Sequence, residues 1–408
     1  MTIRTNNCRF CESDIVEVVN FGKMPIANAF LKKEDIKNET FFELATCYCP
    51  QCLLFQLIEQ PNPESLFHEN YAFFANTSNY MQKHFSELSN KLIENFDLKK
   101  NDLTIEIGNN DGGMVKYLKD KGFNHLGIDP SKNVSDAARS KGVNILNNFF
   151  NFELSKKIKN SYGKAKIILS ANTLAHIPNI NSVFQGIENL LEDDGIYITE
   201  DPYQVDLFNK TSYDQIYDEH VFIFSLNSMN NICKKYNFEI FDVEHLETAG
   251  GSMRYYICKI GKRKISSNVN KFFDLEKKIN FLQNSTYIDF KNKCEQSKNN
   301  FVNLLEKLSK NNIIASYGAT SKSTTIFNYC QIDTKLIKYI TDTTSTKINK
   351  FSPGMHIPIY DYKFFNDNLP NYCFLGAWNH SDEIFKKEKN NFSVNGKWIT
   401  HVPEARVI

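Results

Sequence analysis

At 408 residues the chain is long enough for two or three domains, and 33 Phe with 19 Tyr can fill real apolar cores. A formal net charge of +1 gives no general argument for nucleic acid or a membrane surface, and no apolar run reaches the roughly eighteen residues that cross a bilayer. Ten cysteines follow a polar start, MTIRTNN, that lacks the apolar centre of a signal peptide, so reduced thiols in the cytoplasm are expected, with metal rather than disulfides as their use.

Taken in order, the first pattern is Cys8-x-x-Cys11 with Cys49-x-x-Cys52, two knuckles of the kind that wrap four thiolates around one tetrahedral zinc. A closed four-thiolate site leaves no open position, so its role would be structural. Cys47 is a rival ligand, although Cys-x-Cys is a tighter and less usual chelate. The segment 53–58 is expected to leave the second knuckle as a strand. Residues 63–84 then carry Tyr71, Phe73, Phe74 and Tyr80, which either cover a seam between domains or face a substrate. Helical spacing of Phe85, Leu88, Leu92, Ile93 and Phe96 predicts a helix over 81–96.

The stretch 104–113, TIEIGNNDGG, is a buried strand followed by a glycine-punctuated turn that opens a helix. Gly108 carries no Cβ and admits a ligand close to the backbone, while Gly112 allows an open helix start. A second strand over 125–128 ends in Asp129, placed to accept hydrogen bonds from both hydroxyls of a ribose. A pyrophosphate cradle wants a second glycine where Asn110 stands. Glu106 and Asp111 would repel that group and suit a cationic sulfonium, which disfavours an NAD enzyme. The pattern, with Asn109 inside the turn, resembles the class I methyltransferases that use S-adenosylmethionine. Strands follow over 143–146, 167–170 and 195–199, with Phe149 placed to sandwich an adenine and Asn172 and His176 just past a carboxyl edge, where ligands collect in open α/β sheets.

Tyr217-Asp218-Glu219-His220 is the densest ionisable set of this region. A histidine beside a carboxylate is the usual make-up of a general base, with the carboxylate fixing its tautomer, and a nearby phenol can stabilise an oxyanion. The turn AGGSMR brings Arg254, a candidate for an anionic substrate group. Residues 262–308 are predicted to form one or two connecting helices. A strand, turn and helix then restart at 313–322, with strands over 336–341, ending at Asp342, and 374–377, predicting a second, smaller Rossmann-like unit in which Gly318 and Lys322 would face phosphate.

The whole order resembles the nucleotide-sugar C-methyltransferases, on the marks Cys-x-x-Cys twice, ANTLAH at 171–176, YDEH at 217–220, GGSMR at 250–254, YGA at 317–319 with Lys322, PGMHIPI at 353–359 and AWN at 377–379. The resemblance implies a zinc-binding module (1–70), a class I Rossmann-like methyltransferase domain (71–262) and a C-terminal α/β domain (263–408). It implies methylation, at carbon 3, of a nucleotide-linked 4-keto-deoxysugar, with His220 as base and Tyr217, Glu219, His176 and Tyr71 around the enolate. Tyr317, Lys322, Lys347 and His356 are implied to hold the nucleotide. The alternatives are a sugar O-methyltransferase and a non-catalytic nucleotide-sugar-binding scaffold. The segment Tyr71-Ala72-Phe73-Phe74-Ala75-Asn76 lacks the hydroxyls of the family pattern and Ala249 replaces a frequent histidine. Those departures leave the sugar, the nucleotide and the methylated carbon open; the oligomeric state is open too, and a monomer is compatible with the sequence.

Overall fold

The computed structural model describes residues 2–69, 71–281 and 283–408. Near the N-terminus, Val16–Pro25, Phe41–Tyr48 and Phe55–Leu57 form an antiparallel sheet whose fourth strand, Phe222–Ile223, is supplied from far along the chain. That borrowed strand fixes the zinc module against the segment just after His220.

Seven strands make the central sheet: β1 (Thr104–Ile107), β2 (His125–Ile128), β3 (Ile145–Leu146), β4 (Ala165–Ala171), β5 (Leu191–Pro202), β6 (Phe238–Leu246) and β7 (Ser252–Lys259). Their order is 3-2-1-4-5-7-6, with β1 to β5 parallel and β7 antiparallel to both of its neighbours. All four residues of β1 are buried, which is why its sequence shows no alternation of apolar and polar side chains. The strand order reverses between β1 and β4, so the carboxyl ends of these strands border a crevice. This is the class I methyltransferase fold expected from the sequence.

The C-terminal unit repeats the plan with β8 (Ile314–Tyr317), β9 (Ile340–Thr341), β10 (Ile359–Tyr360), β11 (Tyr372–Leu375), β12 (Lys397–Thr400) and β13 (Arg406–Val407) in the order 10-9-8-11-12-13. Its own reversal lies between β8 and β11. Thr320 and Ser323 cap the helix Ser321–Tyr329 reciprocally, so the chain turns sharply out of β8.

Two helices, Ser267–Lys278 and Asn284–Ser309, occupy the connector. The first packs on β6 rather than on the C-terminal unit. Its Glu276 is fully buried and accepts from the Tyr203 hydroxyl (2.8 Å) and the Leu226 N–H (2.7 Å). The second helix stacks Tyr287 on Tyr48 of the zinc module (centroids 3.8 Å apart) and Phe290 on Phe208 of the methyltransferase unit (4.0 Å). Each such buried ring contributes roughly 1.5–3 kcal/mol, so this helix holds the units together. Among the described residues no helix is long and apolar enough to cross a membrane.

Candidate active site

One cavity of about 2480 Å3 runs past the carboxyl ends of β1, β2 and β4 and on to those of β8 and β9, with Asn28 and Phe30 of the zinc module at its wall. A single drug-sized ligand occupies roughly 300–1,000 Å3, so the space suits two ligands side by side.

At the β1–β2 end, Asp129 is buried and lines the cavity. Its Oδ2 accepts from the Asn110 N–H and its Oδ1 from the Ser131 N–H, both at 2.9 Å. One acceptor position on each oxygen is left for a ribose diol. Burial pushes its pKa up to about 6, so it is ionised at neutral pH. Gly108 has φ +73°, and a Cβ there would lie 2.1 Å from Thr173 Oγ1, so only glycine fits. Phe149 is 37% exposed and faces the cavity where a flat base could stack, and Asn172, at φ +50°, closes the same edge. A diol acceptor, an exposed ring and a turn stripped of side chains are the features that S-adenosylmethionine requires, and these residues fit it.

Other members of the turn work differently from expectation. Glu106 is spent on the fold: its oxygens take the N–H groups of Met114 (3.0 Å) and Val115 (2.9 Å) and the Asn109 amide (2.7 Å). It caps the start of the next helix, and burial pushes its pKa up to about 7. Asn109 supports that cap and is itself fully buried. Asp111 does not line the cavity, nor does Gly112. Asp111 pairs with Lys141 (2.8 Å) and accepts from the Asn76 N–H (3.0 Å), so its charge is neutralised and cannot act on a ligand. Asn110 has the role sequence reasoning missed: at φ +52° it accepts from the Ala75 N–H (2.9 Å) and donates to Phe73 O (3.1 Å), stitching the aromatic segment onto the turn.

Further into the cavity, His220 Nδ1 lies 2.6 Å from the Gln215 carbonyl. A carbonyl only accepts, so Nδ1 carries the proton and Nε2 is the bare nitrogen, which accepts from the Tyr217 hydroxyl at 2.8 Å. Burial, with the adjacent His176 adding to it, holds the His220 pKa well below the ordinary histidine value, so the ring is neutral. The tautomer is set by this carbonyl and not by the neighbouring carboxylate that the sequence suggested. Glu219 turns away from His220 to accept from Tyr71 (3.0 Å) and Asn28 (2.6 Å). Asp218 accepts from the Ala27 N–H (3.1 Å), and burial together with repulsion from Glu219 pushes its pKa up to about 8. The His176 ring centre lies 5.1 Å from that of His220; burial lowers its pKa to about 4, and its Nε2 is buried without a hydrogen-bond partner.

From the C-terminal side Tyr317, Lys322 and Lys347 line the cavity. Lys322 donates to Ala249 O (3.0 Å) and lies 4.9 Å from the Trp378 ring centre; burial lowers its pKa to about 8. Lys347 donates to Ala319 O (2.7 Å) and is likewise lowered by burial. The Tyr317 hydroxyl donates to Glu388 (2.9 Å) and accepts from Lys387 (2.9 Å).

Two expected substrate residues do not reach this space. Arg254 is buried on β7 with its guanidinium on Glu200 (2.5 Å) and Glu244 (2.7 Å), so its donors are committed inside the protein. His356 bonds Glu39 (2.7 Å) and joins the PGMHIPI loop to the zinc module outside the cavity. One device left no trace in the sequence. Asp214, fully buried, accepts from Trp378 Nε1 (2.6 Å) and lies 3.3 Å from His401, so the C-terminal unit braces the residue next to Gln215, which orients His220.

In the zinc module the sulfurs of Cys8, Cys11, Cys49 and Cys52 all lie within 4.8 Å of one another, with Cys8–Cys52 at 3.5 Å and Cys11–Cys49 at 3.4 Å. Zinc–thiolate bonds of about 2.3 Å in a tetrahedron set sulfurs roughly 3.8 Å apart, so the set fits a structural zinc. Cys47 stands apart with its thiol toward Gln56 O (3.6 Å), and burial pushes it up to about 12.

Comparison with known proteins agrees with this layout. Residues 8–67 match the family model described as "Putative zinc binding domain", 78–243 the methyltransferase domain and 247–403 the C-methyltransferase C-terminal domain. C-methyltransferase NovU of Streptomyces niveus is 29% identical over 407 residues, spanning 99% of this chain and 97% of its own length. Among solved structures, magnesium protoporphyrin IX methyltransferase of Synechocystis with bound SAM matches at 14% identity and a TM-score of 0.34, over 44% of this chain and 79% of its own. The PH0226 protein of Pyrococcus horikoshii matches at 15% and 0.37, over 46% and 95%. Overlays this partial carry no argument, and the fold rests on the strand order above. By its three matched domains in sequence, each with the structural feature it needs, the chain belongs to the S-adenosylmethionine-dependent C-methyltransferases built from a zinc module, a methyltransferase domain and a C-terminal domain.

Proposed function

We propose that the substrate is a nucleotide-linked 4-keto-deoxysugar, methylated at the carbon next to the ketone. The observation that carries the reading is a neutral, tautomer-fixed His220 in one cavity with the Asp129 turn. Methylation at carbon needs a base and a stabilised oxyanion, because a sugar carbon becomes nucleophilic only as an enolate. As the sugar enters, Tyr217 exchanges its bond to His220 for one to the ketone oxygen, and Nε2 becomes free to take the carbon-bound proton. With its proton on Nε2, the neutral His176 ring would supply a second donor to the enolate oxygen. Tyr71, held by Glu219, walls the sugar from the zinc-module side. Bound S-adenosylmethionine supplies the electrophilic methyl group. Lys322 and Lys347 offer cations to a diphosphate between the two α/β units.

The test is exchange of solvent deuterium into the carbon beside the ketone without the methyl donor. Exchange that is lost in His220→Asn, together with a mass gain of one methylene once donor is added, supports the reading. Methyl transfer without exchange, or transfer to an oxygen, overturns it.

A further inference from the structure

Glu200 and Asp201, at the tip of β5, hold both ends of the turn that leaves β4. The Glu200 carbonyl accepts from the Asn172 N–H (2.6 Å), where the turn begins beside the donor end of the cavity. Asp201 Oδ1 accepts from the Ala175 N–H (3.0 Å), one residue before His176. The turn Leu174–His176 is too short to pair that N–H within itself. Asp201 Oδ2 accepts from the Thr199 hydroxyl (2.7 Å), which accepts in turn from the Ser170 hydroxyl (2.8 Å), so both carboxylate oxygens are fixed. Asp201 is fully buried and does not line the cavity. Burial pushes its pKa up to about 7, so holding a charge there is unfavourable, and a carboxylate kept in such a place needs a reason.

The side chain that gains from this anchor is His176. Among the described residues nothing hydrogen-bonds its Nε2. Its ring contacts those of Phe67 (centroids 5.7 Å apart, planes 16° from parallel) and His220 (5.1 Å), and ring contacts of this kind let an imidazole slide in its own plane. The direction of Nε2 is therefore set from the backbone, and the bond nearest to it is the one from Ala175 to Asp201. We propose that Asp201 is a positioning residue for enolate formation, acting through the Ala175 N–H to aim His176 at the ketone oxygen. This rests on the reading of His176 as a donor to that oxygen and adds the group that aims it. A donor lowers the barrier only when its N–H already points to where the negative charge develops. Because the neighbouring Glu200 carbonyl holds Asn172, one strand tip places both the edge of the donor site and the group that meets the enolate.

The experiment follows solvent-deuterium exchange at the carbon beside the ketone in the full-length, zinc-loaded protein, with UDP- and dTDP-4-keto-6-deoxyglucose as probes. Asp201 and His176 are placed in a double-mutant cycle. His176→Ala is expected to slow exchange by about a hundredfold, as loss of one oxyanion donor does. Asp201→Ala should slow it by about tenfold with S-adenosylhomocysteine affinity unchanged, and should slow it no further once His176 is already Ala. Asp201→Asn, whose amide oxygen still accepts from Ala175, should recover most of the rate. Thr199→Val removes the hydroxyl on Oδ2 at nearly constant size and gives a second cycle of the same pattern if Asp201→Ala does not fold. A loss of equal size with and without His176 overturns the proposal, since the effect then bypasses the imidazole. So does a wild-type exchange rate in a folded Asp201→Ala. Absence of exchange in the wild type with both probes overturns it by a different route, because the enolate reading then falls first.

Discussion

Replacing Arg254 by Met separates two accounts of the same residue. If the arginine recognised an anionic substrate, its loss would raise KM and leave the fold alone. The structure gives it another role: Arg254 and Glu200 are 4% and 1% exposed, and the guanidinium bridges Glu200 to Glu244. Removing one partner of such a buried pair costs about 3–5 kcal/mol, because the remaining charge is left without compensation. His84, 2.7 Å from Glu200, offsets part of this, so the lower end applies. At roughly 2–4 °C per kcal/mol for a unit of this size, melting should fall by about 6–12 °C. The loss has a pH signature. Burial alone would raise the Glu200 pKa, but His84 and Arg254 outweigh it and hold it below the ordinary carboxylate value. In the wild type that contribution is present above the unfolded pKa and is lost only as pH falls through the lower folded one. In the variant the carboxylate is raised, and protonation relieves it, so the gap should narrow from pH 8 to pH 5. Adding Glu200→Gln to Arg254→Met should recover much of the loss. Thermal melting followed by circular dichroism decides. A melting shift under 2 °C with a large rise in KM would refute the reasoning.

Three shorter predictions rest on other parts of the site. Asp129→Asn should weaken S-adenosylmethionine binding by about ten- to a hundredfold, the ~1.5–3 kcal/mol of a hydrogen bond to a charged group; in the wild type calorimetry should show affinity falling below pH 6, where the carboxylate takes up its proton. Cys49→Ser should release zinc, measured by mass spectrometry of the metal, and lower the melting temperature, since a structural site contributes folding energy directly. Lys322 carries its charge below about pH 8 and loses it above, so KM for an anionic substrate should climb at higher pH, and Lys322→Met should raise KM and flatten that rise.

What the sequence disclosed was set by range. The four zinc thiolates and the glycine turn with Asp129 are local patterns whose geometry follows from spacing and from the doubly wound plan. Their placement needed no knowledge of distant partners. Asp111, Arg254 and His356 were legible only as polar side chains. What each of them does depends on a partner from elsewhere in the chain: Lys141 for Asp111, Glu200 and Glu244 for Arg254, Glu39 for His356. A charged side chain that finds a buried opposite charge is removed from the list of ligand contacts, and sequence spacing carries no record of that pairing.

The same limit explains why the surroundings of His220 were invisible. Tyr217 and His220 are neighbours in sequence, but what suits His220 to the proposed role of base is the Gln215 carbonyl that fixes its proton on Nδ1 and the burial that keeps it neutral. Gln215 follows Asp214, which Trp378 and His401 of the C-terminal unit hold, and Glu219 is held by Asn28 of the zinc module. All three units therefore converge on residues 214–220, although only one of them contains the imidazole. A chain cut back to the methyltransferase segment would keep the glycine turn and Asp129 yet lose the groups that orient the base. S-adenosylmethionine binding is thus a property of one unit, whereas the proposed carbon acid chemistry would draw on the whole chain.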